Sequence, residues 1–133
     1  MILVDSSVWI DYFRSAQTGQ VALLDSLFGR SRLAVGDLIA AEILQGVRDE
    51  REFKRVKRTL DAFDHVDLAG YDLAVRASEN YRALRSKGVT IRKTIDTIIA
   101  TRCLEDGLTL LHADRDFLPF VEHFGLKVAY SEA

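Results

Sequence analysis

The sequence has few of the residues that crosslink or interrupt a chain. Its 133 residues include one cysteine, Cys103, and one proline, Pro119. A lone cysteine excludes an internal disulfide, so nothing in the sequence requires an oxidising compartment. Because internal repeats, low-complexity tracts and proline-rich linkers are also absent, we expect a single domain over residues 1–133.

Long apolar runs and a strong excess of one charge are missing as well. No apolar stretch approaches the ~20 residues that a membrane helix needs. The chain reaches an acid at Asp5, before the apolar segment of a signal peptide is complete, so we expect a cytoplasmic protein without a membrane partner. The net charge of −2 argues against attachment to nucleic acid by overall charge, although a local basic surface would still allow it.

Short apolar runs alternate with segments of helical periodicity. The runs predict five strands, over residues 1–4, 32–35, 65–68, 108–111 and 126–130. The periodic segments predict helices over residues 7–13, 20–28, 37–46, 53–63, 71–86, 94–107 and 114–124. Ser6 or Ser7, Asp37 and Thr94 are the expected helix caps. This alternation predicts an α/β domain with a parallel sheet and helices on both faces.

Acidic residues follow two of the predicted strands directly. Asp5 comes after the first strand, and Asp114 and Asp116 come after the strand over residues 108–111. In open α/β sheets, ligands bind beyond the carboxyl ends of the strands. If these two strands are neighbours, the three acids emerge at the same edge of the sheet.

Two further acids lie on apolar helical segments. Asp96 is in the first turn of a helix rich in isoleucine, and Glu42 lies mid-helix between Ala41 and Ile43. A carboxylate at the margin of a buried stripe must be paired, hydrogen-bonded or bound to metal.

Each acid alone has an ordinary explanation. Asp5 can be a helix cap or turn acid, Glu42 an exposed helix residue, and Asp96 a partner of the helix dipole. Together they predict a pocket where carboxylates converge without an internal positive partner. A hard cation such as Mg²⁺ relieves that repulsion, since it prefers oxygen ligands and keeps several waters. Such ions support phosphodiester hydrolysis.

At this point the motifs resemble those of a known family. Residues 2–10 (ILVDSSVWI), 41–46 (AEILQG), 95–100 (IDTIIA) and 110–117 (LLHADRDF) are similar, in order, to the four acidic motifs of PIN domains. The similarity is strongest to the toxins of bacterial VapBC toxin–antitoxin pairs. Ser6 stands where this motif often has threonine, which keeps the hydroxyl.

The resemblance implies a three-layer α/β/α fold with a parallel sheet of about five strands. It implies an endoribonuclease that depends on Mg²⁺ or Mn²⁺, a homodimer, and inhibition by a VapB-type antitoxin. Asp5, Glu42, Asp96 and Asp114 take the places of the catalytic, metal-binding quartet of the family. Asp116 takes the place of a frequent fifth acid that also binds metal.

Other residues have simpler interpretations. The basic segment 48–58 is expected to form a solvated helix face, with RNA contact as the alternative. His112 is expected to be a partly buried histidine at a strand end rather than a base or ligand. Cys103 is expected to act as a small hydrophobic residue, and Trp9 and Phe13 to pack in the core or a dimer interface.

Two other functions share part of this pattern. A Mg²⁺-dependent phosphatase of the haloacid-dehalogenase type also has an acid after its first strand, but it needs a second aspartate where this chain has Ser7. A non-catalytic interaction module could keep the fold. A pure scaffold, however, gains nothing from the mutual repulsion of several acids in apolar surroundings.

Overall fold

The computed structural model describes residues 1–130, and its centre is a parallel sheet. The strands are β1 (Ile2–Val4), β2 (Leu33–Gly36), β3 (Asp64–Val66) and β4 (Thr109–Leu111), in the order β3-β2-β1-β4. Every pairing is parallel, and Val4 lies opposite Leu111. The carboxyl ends of β1 and β4 therefore meet at one edge of the sheet, so the condition for the acids to emerge together is met.

Helices fill the connections between these strands. They are α1 (Ser6–Phe13), α2 (Gly19–Leu27), α3 (Asp37–Gln45), α4 (Glu50–Asp61), α5 (Tyr71–Ser86), α6 (Thr94–Asp106) and α7 (Leu118–Phe124), with a 3-10 turn at Arg115–Phe117. The predicted α/β/α class is confirmed, and most boundaries agree within one to three residues. Among residues 1–130, no helix combines the length and apolarity required to cross a membrane.

The segment predicted as the last strand follows β4 but pairs with it over one residue. Leu110 forms a parallel bridge with Val128. Its amide donates to the Lys127 carbonyl, and its carbonyl accepts from the Ala129 amide, both at 2.9 Å. The described residues thus form four full strands and the beginning of a fifth.

The core lies around β1 and β4, whose last two residues, Leu3 and Val4 in β1 and Leu110 and Leu111 in β4, are fully buried. On one side, Trp9 stacks on Phe13 with ring centroids 5.8 Å apart and lies 5.5 Å from Phe63. On the other side, Phe117 and Phe120 are fully buried. Trp9 is therefore a core residue, as expected, and Cys103 is a buried, unpaired thiol within the described chain.

The caps of α3 and α6 differ from the sequence prediction, whereas α1 has one of its possible caps. Asp5, rather than Ser6 or Ser7, caps α1, because the helix starts directly after the strand and the Asp5 carboxylate reaches the Ser7 amide. Gly36 and Lys93 hold the cap positions of α3 and α6, so Asp37 and Thr94 are the first helical residues. The Asp37 carboxylate instead accepts from the Leu38 and Leu68 amides, which links α3 to the segment after β3.

Candidate metal centre

Asp5 lies where the central strand turns into α1. Its amide donates to the Leu111 carbonyl at 2.9 Å, so the residue is fixed against the end of β4. The side chain is 4% exposed. Its Oδ2 accepts from the Ser7 amide at 3.1 Å and from the Ser7 hydroxyl at 2.6 Å. Burial raises the pKa of Asp5, and the bonds from Ser7 oppose that shift.

Asp114 and Asp116 lie on the turn that follows β4. The Asp114 carboxylate accepts from the Asp116 amide at 2.9 Å and so caps the 3-10 turn. The Asp114 amide donates to Nδ1 of His112 at 3.2 Å. These two bonds fix the turn in the orientation that presents both carboxylates to α6.

Asp96 comes to the same place from the first turn of α6. It is 5% exposed. Within residues 1–130, its Oδ2 is buried and has no hydrogen-bond partner. One carboxylate oxygen from each of Asp96, Asp114 and Asp116 lies within 4.8 Å of the other two. We call these three residues the acidic triad.

The electrostatics of Asp96 reflect this crowding. Its pKa is raised from 3.8 to about 7, mainly by burial, then by the negative charges of Asp5 and Asp114. Lys93 lowers the pKa and Asp116 raises it, each by less. Asp5 therefore lies outside the triad but within its electric field.

Glu42 is the most peripheral of the five predicted acids. It is half-buried on α3, and its Oε1 accepts from the Ser6 hydroxyl at 3.4 Å. Burial and then the charge of Asp5 raise its pKa. The structure thus joins Glu42 to the Asp5 side of the site and leaves it outside the triad.

The expectation of no positive partner was wrong, because two cations precede α6. Arg92 forms an ion pair with Asp116 at 3.2 Å, and the Lys93 charge lowers the pKa values of Asp96 and Glu42. The sequence carried a signal for both, since they stand three and four residues before Asp96. The positioning role of Ser7 was missed, because its contact with Ala113 joins segments that are distant in the sequence.

The donor set fits a hard divalent cation. In an octahedral Mg²⁺ site with metal–oxygen distances of ~2.1 Å, neighbouring ligand oxygens lie about 3.0 Å apart and opposite ones about 4.2 Å, so the three carboxylate oxygens would move closer together when an ion binds. The buried Oδ2 of Asp96 has no hydrogen-bond partner in residues 1–130 and is therefore available to bind a cation. Carboxylate oxygens without sulfur suit Mg²⁺ or Mn²⁺.

The remaining candidates have ordinary surroundings. His112 is half-buried against Phe117, with ring centroids 5.0 Å apart, and burial lowers its pKa. Because Nδ1 accepts a hydrogen bond, the neutral ring carries its proton on Nε2. On α4, Arg55 pairs with Glu52 and Lys57 with Asp61, as expected for a solvated helix face.

Two grooves differ in their relation to the acids. One of about 360 Å³ extends from Glu42 to the start of α4 and is bordered by Arg14 and Arg48. Another of about 600 Å³ lies along α1 and α2, and none of the five acids lines it. The second groove is therefore separate from the acidic site.

Comparison with known proteins identifies sequence relatives over most of the chain. The family model described as PIN domain matches residues 2–120. Two curated proteins are 32% identical over 121 residues: VapC ribonuclease Mb1587 of Mycobacterium bovis and Ribonuclease VapC11 of Mycobacterium tuberculosis. Each alignment covers 88% of this chain and 89% of the relative.

Solved structures share the fold at lower identity. VapBC-1 from nontypeable Haemophilus influenzae superposes over 100% of both chains with a TM-score of 0.74 and 16% identity. FitAcB from Neisseria gonorrhoeae gives 0.73 over 98% of both chains at 20% identity. Mycobacterium tuberculosis VapC20, described as a sarcin-ricin loop cleaving toxin, gives 0.66 at 15% identity, over 89% of this chain and 93% of its own.

Proposed function

The chain belongs to the PIN-domain family, and on that premise we propose that it is a metal-dependent endoribonuclease, the toxin of a type II toxin–antitoxin pair. One observation carries the proposal: Asp96 brings a carboxylate oxygen within 4.8 Å of oxygens of Asp114 and Asp116, and its buried Oδ2 has no hydrogen-bond partner among the described residues. Relatives at 32% identity are named ribonucleases, and this arrangement of acids suits their chemistry.

In this proposal Asp96, Asp114 and Asp116 hold Mg²⁺, with Mn²⁺ as a substitute. Asp5 and Glu42 complete the acidic site from the β1 and α3 side. When bound, the ion supplies an activated water and neutralises charge on the phosphodiester oxygens. The catalytic set is Asp5, Glu42, Asp96 and Asp114, with Asp116 as a further ligand.

The neighbouring side chains keep these acids in place. Ser7 fixes the Asp5 carboxylate and, through the bond from the Ala113 amide to its Oγ at 3.1 Å, ties it to the loop after β4. Nδ1 of His112 accepts from the Asp114 amide. Preorganised side chains of this kind need no rearrangement when the substrate arrives.

A partner protein follows from the same proposal. The solved structures that share this fold include toxin–antitoxin complexes, such as one from Klebsiella pneumoniae at 20% identity. We propose that this chain binds a VapB-type antitoxin, forms a homodimer, and acts on RNA in the cytoplasm.

The two rival functions make different use of the acids. In a non-catalytic module, the burial and the repulsion that together raise the Asp96 pKa to about 7 would have no use. In a phosphatase, the position of Ser7 would need a second acid, and here its hydroxyl is occupied between Asp5 and Ala113. Both are less consistent with the site than a nuclease.

The direct test is cleavage of bulk bacterial RNA by the purified chain. Cleavage should require Mg²⁺ or Mn²⁺, stop with excess EDTA and return when either ion is restored. Ca²⁺ should bind but support little turnover, because its looser coordination positions a nucleophile poorly.

Variants make this test specific to the site. Asp114→Asn should lose activity, whereas Asp25→Asn, which changes an exposed aspartate on α2, should keep it. Full cleavage in EDTA, or equal activity of the two variants, would contradict the proposed mechanism.

A further inference from the structure

Arg92 lies at the mouth of the acidic site. It is the second residue before α6, and its guanidinium faces both carboxylate oxygens of Asp116. Nη2 donates to Oδ1 at 3.3 Å and to Oδ2 at 3.2 Å, and Nε donates to Oδ2 at 3.3 Å. The Arg92 side chain is 75% exposed, whereas that of Asp116 is 17% exposed.

This pair is loosely held. Charge-assisted N–H···O bonds are usually about 2.7–2.9 Å long, so all three distances exceed the optimum. An arginine–carboxylate pair with an exposed guanidinium contributes little to stability, because water competes for the guanidinium. Arg92 can therefore leave Asp116 at small cost.

Asp116 is also a potential ligand of the divalent cation. One of its oxygens belongs to the triad that suits a divalent cation, and both oxygens accept from Arg92. A cation at the triad would neutralise part of the charge that attracts the guanidinium. Cation binding at the triad therefore weakens the attraction between Asp116 and Arg92.

RNA needs a positive group at this place. The five acids repel a phosphodiester, and one divalent ion compensates only part of their charge. A guanidinium is planar, is always charged, and offers paired donors that match the oxygens of a phosphate. Lys93 suits the task less well, since its charge acts on Asp96 and Glu42 within the site.

We propose that Arg92 is a phosphate-binding residue that exchanges Asp116 for the backbone of the RNA substrate. In the RNA-free protein its guanidinium pairs with Asp116. With RNA present, it donates to non-bridging oxygens of a phosphate next to the scissile bond. This inference rests on the proposed ribonuclease function.

The test compares RNA binding by variants of the full chain. A short fluorescent single-stranded RNA of mixed sequence is titrated by anisotropy in Ca²⁺, which slows turnover. The variants are Arg92→Gln, Arg92→Lys and Arg32→Gln. Arg32 is a matched control, because it is 70% exposed, pairs with Asp64 and precedes β2 at the opposite edge of the sheet.

Arg92→Gln should bind the RNA ~10-fold more weakly than wild type. The slope of log affinity against log salt should become shallower by about 0.7, the value for one phosphate contact on a single strand. Arg92→Lys should keep the slope and recover part of the affinity, because lysine keeps the charge but lacks the paired N–H donors of a guanidinium. Arg32→Gln should match wild type in both quantities.

Binding of Mn²⁺ alone, measured by calorimetry, separates this role from that of a mere counter-ion. If Arg92 serves RNA, Arg92→Gln should bind Mn²⁺ as tightly as wild type or more tightly. A variant with weaker Mn²⁺ binding and an unchanged salt slope would show that Arg92 only holds Asp116, which overturns the inference.

The inference and the proposed function fail in different ways. If wild type cleaves RNA while Arg92→Gln and Arg32→Gln bind it equally well, the inference is wrong and the ribonuclease remains. A wild type that neither binds nor cleaves RNA would overturn both.

Discussion

Ser7 donates its hydroxyl hydrogen to Oδ2 of Asp5 across 2.6 Å. Burial raises the pKa of Asp5, and of the interactions that lower this pKa the hydrogen bond from Ser7 has the largest effect. The same Ser7 oxygen accepts from the Ala113 amide, so one small side chain connects the ends of β1 and β4. A single hydroxyl thus contributes both to the ionisation of Asp5 and to the connection between β1 and β4.

Replacing Ser7 with alanine should therefore change the pH dependence of RNA cleavage. Without the donor, the pKa of Asp5 rises further, so the acidic limb of the rate profile should move to higher pH. At pH values below that limb, the rate of RNA cleavage should be ~10-fold lower than in wild type, in line with the loss of a hydrogen bond to a charged group. The measurement is the rate of RNA cleavage at saturating Mg²⁺ across the pH range.

Two variants serve as controls for this experiment. Ser7→Thr keeps the hydroxyl and should restore the profile. Ser26→Ala removes an exposed hydroxyl that bonds only to the Leu23 carbonyl in the described structure, and it should leave the profile unchanged. An unshifted limb in Ser7→Ala would mean that Asp5 does not control the rate.

The elevated pKa of Asp96 predicts an unusual stability profile without metal. The folded carboxyl is protonated below about pH 7, whereas the unfolded one ionises near 3.8. Between these values the folded state binds more protons, so the free energy of unfolding falls as pH rises. Above pH 7 the ionised Asp96 destabilises the folded state by the full amount. Asp96→Asn carries no charge there and should not be destabilised in this way.

Thermal melts in EDTA measure this difference. At about pH 7.5, Asp96→Asn should melt at the same temperature as wild type or higher, and its advantage should shrink towards pH 4. Adding Mg²⁺ should stabilise wild type, by ~2.7 kcal/mol at a hundred times Kd, and the variant clearly less. Asp25→Asn is the surface control. If Asp96 were only a dipole partner, its asparagine variant would melt lower in both buffers.

The roles of Asp96 and His112 should separate in activity. Asp96→Asn removes a metal ligand while nearly preserving shape, so RNA cleavage should fall by at least ~10²-fold. His112→Ala loses one acceptor for the Asp114 amide and should cost less than ~10-fold. Initial rates at saturating Mg²⁺ provide the comparison. An inactive His112 variant beside an active Asp96 variant would mean that the site is wrongly assigned.

Expression in a sensitive bacterium tests the toxin role. The wild-type chain should stop growth, and Asp5→Asn should not, because the site loses an ionised group while the side chain stays nearly isosteric. Co-expression of the small protein encoded next to it should restore growth and yield a copurifying complex. If a well-expressed wild type is harmless, the toxin role is wrong, although RNA cleavage can still stand.

The strand-exit acids were predictable because their positions follow from local patterns. An apolar run that ends in Asp5, and another that ends before Asp114, place both acids at the carboxyl ends of parallel strands. The acid on α6 was predictable for a similar reason, since Asp96 interrupts an isoleucine-rich stripe. Assignment of all five acids to catalysis and metal binding stays a prediction.

Contacts between distant segments were not predictable in the same way. The Arg92–Asp116 pair and the Ser7–Ala113 bond depend on how α6 and β1 are seated against the loop after β4. Local periodicity carries no information about that seating. The sequence allowed either Asp5 or a serine as the cap of α1, and Asp5 is the cap because no linker separates β1 from the helix.

The pairing of β1 with β4 has a consequence for synthesis. β1 is synthesised long before its partner at residues 109–111 and the acids at 114 and 116. A nascent chain that stops short of them has three of the five acids, Asp5, Glu42 and Asp96, and no folded sheet edge to hold them. Under the proposed function, translation thus yields an inert product until residue 116 has been added. A ribosome that makes the toxin is therefore not exposed to its activity while the segment between β1 and Asp116 is being translated.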